Sequence, residues 1–252
     1  MDKKVLLKKL FNTVKQIKIS QLSLKWEKCH LCGWRVQIKT HNDEMGVRCT
    51  RCFATPVSQM MAKVFKQYQN NRAHSVYELS SRGAFVRFLK NRSFRLTLSE
   101  YFDGVNNGDI INGVLCQNVE ELTFSDESFD ICTSLEVFEH VENDDKGFKE
   151  ILRVLKKGGV FIFTVPINLK VETIERTKVI QGKRQQILPA EYHSDSIRGA
   201  NQVFCYRNYG CDIIQKLKKS GFEKCTIYQP PKSLLFGFGR PVIIAFKKIL
   251  TQ

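Results

Sequence analysis

The spacing of apolar residues predicts a regular alternation of strands and helices from residue 75 onward. Two amphipathic segments predict helices, GAFVRFLKN at 83–91 and DDKGFKEILRVLKKGG at 144–159, the second closed by Gly158 and Gly159. Short runs rich in β-branched and aromatic residues predict strands, namely SVYEL (75–79), RLTLSEY (95–101), GVLCQN (113–118), FDICTSLEV (129–137) and VFIFTVP (160–166). This alternation is typical of an α/β fold with a doubly wound, mostly parallel sheet.

The pattern changes after Pro166. Residues 167–206 have no strong periodicity, and a stretch of that length predicts a lid or a substrate-binding insertion. NYGCDIIQKLKKSGF at 208–222 then predicts a helix with a glycine stop. CTIYQ at 225–229 and PVIIAFKK at 241–248 predict two strands. Because no helix separates these two strands, we expect an antiparallel hairpin at the edge of the sheet.

The N-terminal part has a different character. KKVLLKKLFNTVKQIK at 3–18 has apolar residues at helical spacing among lysines, which predicts a basic amphipathic helix. Its apolar face suits packing on the same chain or on a second subunit, and its lysine-rich face suits contact with RNA or a membrane surface. We divide the chain into a basic helix (1–25), a cysteine module (26–56), a linking helix (57–73) and an α/β domain (74–252).

Composition and charge narrow the class of protein. The longest apolar runs of the 252-residue chain are far shorter than the roughly 18–20 residues of a transmembrane helix, and we see no secretory signal, so we expect a cytoplasmic protein. Forty basic and 25 acidic residues give a net charge of +15, which attracts nucleic acid or anionic lipid without selecting between them. Residues 117–150, however, carry eleven carboxylates against two lysines. The net charge is therefore no proof of RNA binding.

Four of the nine cysteines form two pairs, CHLC and CTRC, with sixteen residues between them. Two such pairs supply the four thiolates of a tetrahedral Zn²⁺ site. We predict a structural zinc ribbon with Cys29, Cys32, Cys49 and Cys52 as ligands. Its role is folding in the simplest reading, or else docking or substrate recognition. The other five cysteines are expected to be reduced core residues.

The loop after the first predicted strand is the expected place for a nucleotide cofactor, because ligands bind at the carboxyl ends of parallel strands. The loop runs through Glu78, Leu79, Ser80, Ser81 and Arg82 to Gly83. A dinucleotide needs several glycines there so that backbone amides can approach the pyrophosphate. With one glycine, the loop favours a cofactor that has no phosphate.

The next two strand ends offer groups for a ribose and an adenine. The second strand ends in Ser99, Glu100 and Tyr101, and a carboxylate there can accept hydrogen bonds from both ribose hydroxyls. Asn118 follows the third strand, and its amide can pair with an adenine edge. Together these groups suit S-adenosylmethionine better than NAD.

Several segments, in order, resemble class I S-adenosylmethionine-dependent methyltransferases of the type-11 kind. The resemblance covers about residues 74–248, and its motifs are YELSSRG, LTLSEY, LCQNVEELTFSDESFDICTSLEVFEHV, RVLKKGGVFIFTVP and AEYHSD. It implies a seven-stranded sheet with an antiparallel last strand. By position it implies that Glu78, Ser80 and Gly83 line the methionine end, Glu100 holds the ribose, Asn118 and Val119 the adenine, and Leu135 the other face of the cofactor. Leu79 and Tyr101 complete the predicted cofactor set.

The chain departs from the family pattern at three positions. Ser80 and Arg82 stand where glycine is usual, and Asn118 stands where aspartate is usual. Residues with side chains tolerate positive φ poorly, so we expect either a different turn or weaker cofactor binding.

Candidates for acid–base chemistry lie in two loops. A hydroxyl acceptor would lose its proton to a nearby histidine or carboxylate, and the candidates are Glu139, His140, Glu191, His193 and Asp195. His140 has an alternative role as a structural or capping residue. The leading interpretation is methyl transfer to a small molecule or saccharide. The alternatives are an RNA methyltransferase, favoured by the charge and the ribbon, and a non-catalytic cofactor-binding adaptor.

Overall fold

The computed structural model describes residues 21–181, 183–195 and 199–249. The helix predicted at residues 3–18 lies outside the described residues. The described part begins with a three-stranded antiparallel sheet, β1 (Ser23–Trp26), β2 (Val36–Lys39) and β3 (Val47–Cys49). Helix α1 (Pro56–Tyr68) follows. The Thr55 hydroxyl accepts a hydrogen bond from the Ser58 N–H and caps the helix.

The remaining helices are α2 (Gly83–Lys90), α3 (Asp144–Val154) and α4 (Ile213–Lys219). The remaining strands are, in chain order, β4 (Ser75–Glu78), β5 (Arg95–Glu100), β6 (Ile110–Ile111), β7 (Val114–Cys116), β8 (Phe129–Leu135), β9 (Leu155–Thr164), β10 (Ile167–Asn168), β11 (Ile174–Glu175), β12 (Thr177–Ile180), β13 (Lys183–Gln186), β14 (Tyr192–Asp195), β15 (Gly199–Phe204), β16 (Arg207–Gly210), β17 (Lys224–Tyr228) and β18 (Val242–Phe246). None of the helices in this part of the chain is both long and apolar enough to cross a membrane.

The central sheet has the order β17-β18-β9-β8-β4-β5-β7-β6. The pairs from β9 through β7 are parallel, whereas β18 runs antiparallel to both β9 and β17. The mostly parallel sheet and the antiparallel hairpin at its edge are confirmed.

The sheet has eight strands where seven were expected, because β6 adds a short antiparallel partner to β7. Asn112 and Gly113 join these two strands, with φ of 51° and 77°. Two consecutive residues at positive φ make a two-residue hairpin turn, and Asn-Gly is the preferred sequence for it. This Asn-Gly signal was missed in the sequence.

Helices cover both faces of the sheet, as a doubly wound fold requires. Because side chains alternate along a strand, neighbouring residues enter different cores: Tyr77, Cys132 and Phe161 face α3 and α4, whereas Val76, Ile131 and Ile162 face α1 and α2. Helix α1 therefore packs directly on the sheet, with Met60 and Phe65 fully buried.

Two predicted helix boundaries are wrong. Helix α3 ends at Val154, not at the glycines, and Gly158 and Gly159 lie within β9. Leu155 is extended, fully buried and paired with Phe129 in the sheet. This pairing ends the helix before Lys156 and Lys157, although the local sequence predicts that the helix continues through them. Likewise, residues 208–210 form strand β16 in place of the start of a helix.

The stretch at 167–206 contains short strands, although it lacks periodicity. Strands β12 and β13 form one hairpin, β14 and β15 another, and β16 pairs with both β10 and β11. Gly210 permits close packing here, since a Cβ at this position would lie 2.2 Å from the Val171 carbonyl oxygen. We call residues 167–206 the insertion.

Candidate functional site

A cavity of about 450 Å³ lies at the carboxyl ends of the parallel strands, within the range of about 300–1,000 Å³ for small-molecule sites. The ends of β4, β5, β7 and β8 bring Leu79, Glu100, Asn118 and Glu136 to its wall. The insertion contributes Phe204 and Tyr206, among others. The cavity therefore joins the predicted cofactor region to the insertion.

The loop after β4 adopts an ordinary backbone at the positions that have lost glycine. Gly83 has φ of +97°, whereas neither Ser80 nor Arg82 has a positive φ. The Ser81 N–H and hydroxyl both donate to Glu100 Oε1, each at 2.9 Å. The loop is thus tied to Glu100 and carries no strain from its missing glycines. Among the described residues, Glu100 Oε2 has no hydrogen bond and remains available to a ligand.

Glu78 is fully buried at the end of β4 and does not line the cavity. The Thr133 hydroxyl donates to Glu78 Oε2 at 2.5 Å, while Oε1 has no partner in the described structure. Burial, and then the nearby Glu100 carboxylate, raise the pKa of Glu78 to about 8, although the Thr133 hydrogen bond opposes this shift. Glu78 therefore has acceptor capacity left at Oε1.

The other predicted cofactor residues divide into two groups. Tyr101, Asn118 and Val119 line the cavity together with Leu79 and Glu100. Asn118 Oδ1 accepts a hydrogen bond from the Glu120 N–H at 3.0 Å, which leaves the side-chain amide as the group that can bind a ligand. The structure does not bring Ser80, Gly83 or Leu135 to the cavity wall. Their contacts with a cofactor stay predictions.

Glu136 was not predicted, although it lines the cavity directly after Leu135. Its φ of +52° is unfavourable for a residue with a side chain by about 1–2 kcal/mol. Its Oε2 lies 3.4 Å from Arg240 Nη2, and its Oε1 has no hydrogen-bond partner in the described part of the chain. Burial raises the pKa of Glu136. Strained backbone after a strand end is a common property of functional sites, but it cannot be read from sequence.

Two histidines 53 residues apart meet beside this cavity. His140 Nδ1 lies 2.8 Å from the Phe204 carbonyl oxygen, and His140 Nε2 lies 3.2 Å from His193 Nδ1. His193 Nε2 lies 3.2 Å from Glu191 Oε1. Glu191 also pairs with Arg176, and its pKa is lowered by the His193 hydrogen bond and Arg176 despite partial burial. Glu191 is therefore an ionised acceptor at neutral pH.

Glu139 lies beneath the histidines. Its side chain is 1% exposed, and neither carboxylate oxygen has a hydrogen-bond partner among the described residues. Glu139 Oε1 is 3.7 Å from His140 Nε2 and 3.9 Å from His193 Nδ1. Burial, and then the nearby Glu136 carboxylate, raise its pKa well above the usual value. Asp195 ends β14 close in sequence to His193, but its side chain lies outside the described structure.

Arg207 is a second residue that sequence reasoning missed. Only 3% exposed, it donates to the carbonyl oxygens of Phe138, Val141 and Glu142 and to the Glu175 carboxylate. The Tyr206 N–H donates to the Glu139 carbonyl oxygen at 2.8 Å. Hydrogen bonds from Tyr206 and Arg207 thus attach the C-terminal end of the insertion to residues 138–142. This attachment brings His193 close to His140.

The four predicted zinc ligands lie together in the N-terminal sheet. Their sulfur atoms are all within 4.8 Å of one another, and the Cys29–Cys52 and Cys32–Cys49 pairs are each 3.6 Å apart. Zn–S bonds of about 2.3 Å place tetrahedral sulfur ligands about 3.8 Å apart. The four thiols therefore fit a Zn²⁺ ion.

Comparison with known proteins gives a family match. The model of a family described as a methyltransferase domain matches residues 32–163, which is 132 of the 252 residues. A 24-methylenesterol C-methyltransferase 2 from Arabidopsis thaliana is 32% identical over 119 residues, 46% of this chain. The match spans 28% of the length of that relative.

Two solved structures show the extent of structural similarity. An S-adenosylmethionine-dependent methyltransferase from Mesorhizobium loti is 14% identical, with a TM-score of 0.49 over 75% of this chain and 98% of the other. A chain from the complex between the Haloferax volcanii Trm112 methyltransferase activator and a methyltransferase is also 14% identical. Its TM-score is 0.51 over 78% of this chain and 92% of the other, which shows a shared fold.

Proposed function

Because the chain belongs to the methyltransferase domain family, we propose that this methyltransferase transfers a methyl group from S-adenosylmethionine to a hydroxyl of a small molecule or saccharide. One observation carries the proposal. One part of the cavity is lined by Glu100 and Asn118, which suit the cofactor. Another part is lined by His140, which belongs to the partly buried Glu139–His140–His193 cluster.

The cofactor would be held by the strand ends. Glu100 Oε2 accepts from the ribose, the Asn118 amide and Val119 contact the adenine, and Glu78, Ser80 and Gly83 lie toward the methionine. Leu79, Tyr101 and Leu135 supply the remaining contacts. The bound cofactor supplies an activated methyl group, so that alignment of the acceptor accounts for most of the acceleration. The unpartnered Oε1 of buried Glu78 supports this assignment, because it offers an acceptor to the amino group of the methionine part.

The acceptor would lie toward the insertion, which is the proposed role of residues 167–206. We assign Glu139, His140 and His193, with Asp195 beside them, to promoting proton loss from the acceptor hydroxyl. The His140–His193 contact places two titratable rings at the junction of insertion and sheet.

The charge of the cavity favours a small, uncharged or cationic acceptor over RNA. Five carboxylates line it: Glu100, Asp103, Glu120, Glu136 and Glu142. A phosphate backbone would meet a repulsive field there, although the chain as a whole is basic. The Arabidopsis relative is named for a sterol carbon acceptor, whereas a polar cavity lined by His140 suits a hydroxyl acceptor better than a sterol carbon.

We assign the four-cysteine module at 26–56 to structural zinc binding. Residues 1–25 would supply a basic surface for a second subunit, RNA or membrane lipids, and residues 57–73 would join the module to the methyltransferase domain at 74–252. A cytoplasmic location accords with all of these assignments.

The experiment that tests the function uses methyl-labelled cofactor and fractionated cell extract. We expect label in an RNase-resistant small molecule or saccharide. RNase-sensitive label would overturn the acceptor assignment in favour of RNA. Absence of label with calorimetric cofactor binding retained would favour the cofactor-binding adaptor, and absence of both would overturn the cofactor assignment. Glu100→Gln should weaken cofactor binding about tenfold, whereas the exposed control Glu223→Gln should leave it unchanged.

A further inference from the structure

Glu139, His140 and His193 form a cluster whose possible metal-ligating atoms all lie within 4.8 Å of one another. His140 Nδ1 faces a carbonyl oxygen, and His193 Nε2 faces an oxygen of the Glu191 carboxylate that pairs with Arg176, so each of these nitrogens carries a hydrogen and donates. A neutral imidazole has one N–H, which leaves His140 Nε2 and His193 Nδ1 both as acceptors. These two acceptors lie 3.2 Å apart and face each other.

Glu139 is the third group at this point. Glu139 Oε1 lies 3.7 and 3.9 Å from the two nitrogens, beyond hydrogen-bond distance, and the side chain is 1% exposed. Neither oxygen of Glu139 has a hydrogen-bond partner among the described residues, and a buried polar group without a partner is unfavourable. A cation that contacts Glu139 and both nitrogens gives this side chain a partner.

The spacing suits a metal ion. With metal–ligand bonds of about 2.1 Å, neighbouring ligands lie about 3.0 Å apart in an octahedron and about 3.4 Å apart in a tetrahedron. The two nitrogens are 3.2 Å apart, and Glu139 Oε1 needs to move by only a few tenths of an ångström. The contacts of the other two ring nitrogens also fit a metal site, because metal-ligating histidines donate their second ring N–H to a carbonyl or carboxylate oxygen. Here the Phe204 carbonyl and Glu191 accept those hydrogens.

We propose that Glu139, His140 and His193 bind a first-row divalent transition-metal ion at the wall of the cavity. Two imidazole nitrogens and one carboxylate are a donor set for such metals, and three protein ligands leave coordination positions open. His140 itself lines the cavity, so an acceptor oxygen can reach an open position.

The chemical role of this ion rests on the proposed methyl transfer, whereas metal binding itself does not. A bound metal lowers the pKa of a coordinated hydroxyl. The acceptor O–H then releases its proton to water, and the oxygen forms a bond to the methyl carbon. The S–CH₃ bond breaks with its electron pair on sulfur, which yields the methylated acceptor and S-adenosylhomocysteine.

The test measures Mn²⁺ binding by the full chain. The protein is stripped of metal and reloaded with one equivalent of Zn²⁺, which the four cysteine thiolates take in preference to the histidine site. Mn²⁺ is then titrated in, and the electron paramagnetic resonance signal of free Mn²⁺ is followed. We expect one Mn²⁺ per chain, bound at least tenfold more weakly by His193→Gln and by Glu139→Gln. The control His41→Gln, a histidine of the zinc module, should bind like the wild type.

Cofactor binding by calorimetry and thermal melting on the same samples show that each variant is folded. Equal Mn²⁺ affinity in the wild type and in both folded variants would overturn the proposal. So would a wild type that binds cofactor but no Mn²⁺. Mn²⁺ binding that is lost in the variants, in a protein that binds no cofactor, would support the metal site and count against methyl transfer.

Discussion

Replacing Arg207 with lysine tests whether one guanidinium holds the segment that carries Glu139 and His140. Arg207 donates to the carbonyl oxygens of Phe138, Val141 and Glu142 at 3.2, 2.5 and 2.9 Å. It also bonds the Glu175 carboxylate at 3.0 Å. A lysine ammonium keeps the charge but has three donors on a single atom, so it cannot reach all of these acceptors.

The expected loss follows from the number of bonds that disappear. At least two carbonyl oxygens lose a hydrogen bond from a charged donor, and each such bond contributes about 1.5–3 kcal/mol in a buried place. We expect Arg207→Lys to lower the free energy of unfolding by about 3–5 kcal/mol. For a chain of this size, that corresponds to a fall of about 1–2 M in the urea midpoint.

The assay is urea unfolding followed by circular dichroism, with Arg87→Lys as the matched control. Arg87 is exposed and donates to one carbonyl oxygen, that of Cys52. The control should change stability by less than about 0.5 kcal/mol. If the loss in Arg207→Lys is below about 1 kcal/mol or equals that of the control, the guanidinium does not anchor the segment and the reasoning fails.

Three further predictions concern the cofactor loop, a buried acid and the zinc module. Ser81→Ala removes one of three hydrogen bonds to Glu100 Oε1 and should weaken cofactor binding about fivefold by calorimetry, equivalent to about 1 kcal/mol. Glu78 has a folded pKa of about 8, above its unfolded value, so its stabilising contribution is present at low pH and lost as the pH rises. Glu78→Gln should therefore gain about 2–3 kcal/mol over the wild type between about pH 5.5 and 7.5 in urea unfolding. A chelator should lower the melting temperature, because zinc binding is coupled to folding.

A specific result would contradict each of these three predictions. Unchanged cofactor affinity in Ser81→Ala would mean that the loop does not orient Glu100. Ser125→Ala, at an exposed serine that does not line the cavity, serves as its control. A stability difference for Glu78→Gln that is flat with pH would show that Glu78 is ionised in the folded state. A melting temperature that is the same in chelator and in added Zn²⁺ would argue against a bound metal at the four cysteines.

The sequence predicts the central sheet well because its strands are short, continuous apolar runs. The run around Val76 and the one around Ile162 can bury side chains on both faces only between two layers of helices. The start of β9 was not predicted, because Lys156 and Lys157 are typical of a helix end in the local sequence. In the structure, Leu155 pairs with Phe129 and belongs to the sheet. The decisive force at that boundary is tertiary pairing, which a local pattern does not contain.

The site was predictable in its chemistry but not in its geometry. Glu100 and Asn118 follow strand ends, and that position alone brings them to the cavity. The meeting of His140 and His193 depends on the docking of the insertion through Arg207, which no spacing rule expresses. The Ser81 contact with Glu100 was hidden for the same reason, because it joins two loops nineteen residues apart.

The composite wall of the cavity has an evolutionary consequence. The residues proposed for the cofactor come from strand ends of the sheet, whereas Val203, Phe204 and Tyr206 come from the insertion. Mutations between Pro166 and Arg207 can therefore reshape the acceptor end while the backbone around Glu100 stays in place. The preference for an acceptor can therefore diverge among descendants of such a protein while the cofactor site stays the same. Grafting the insertion of one protein onto another can exchange that preference.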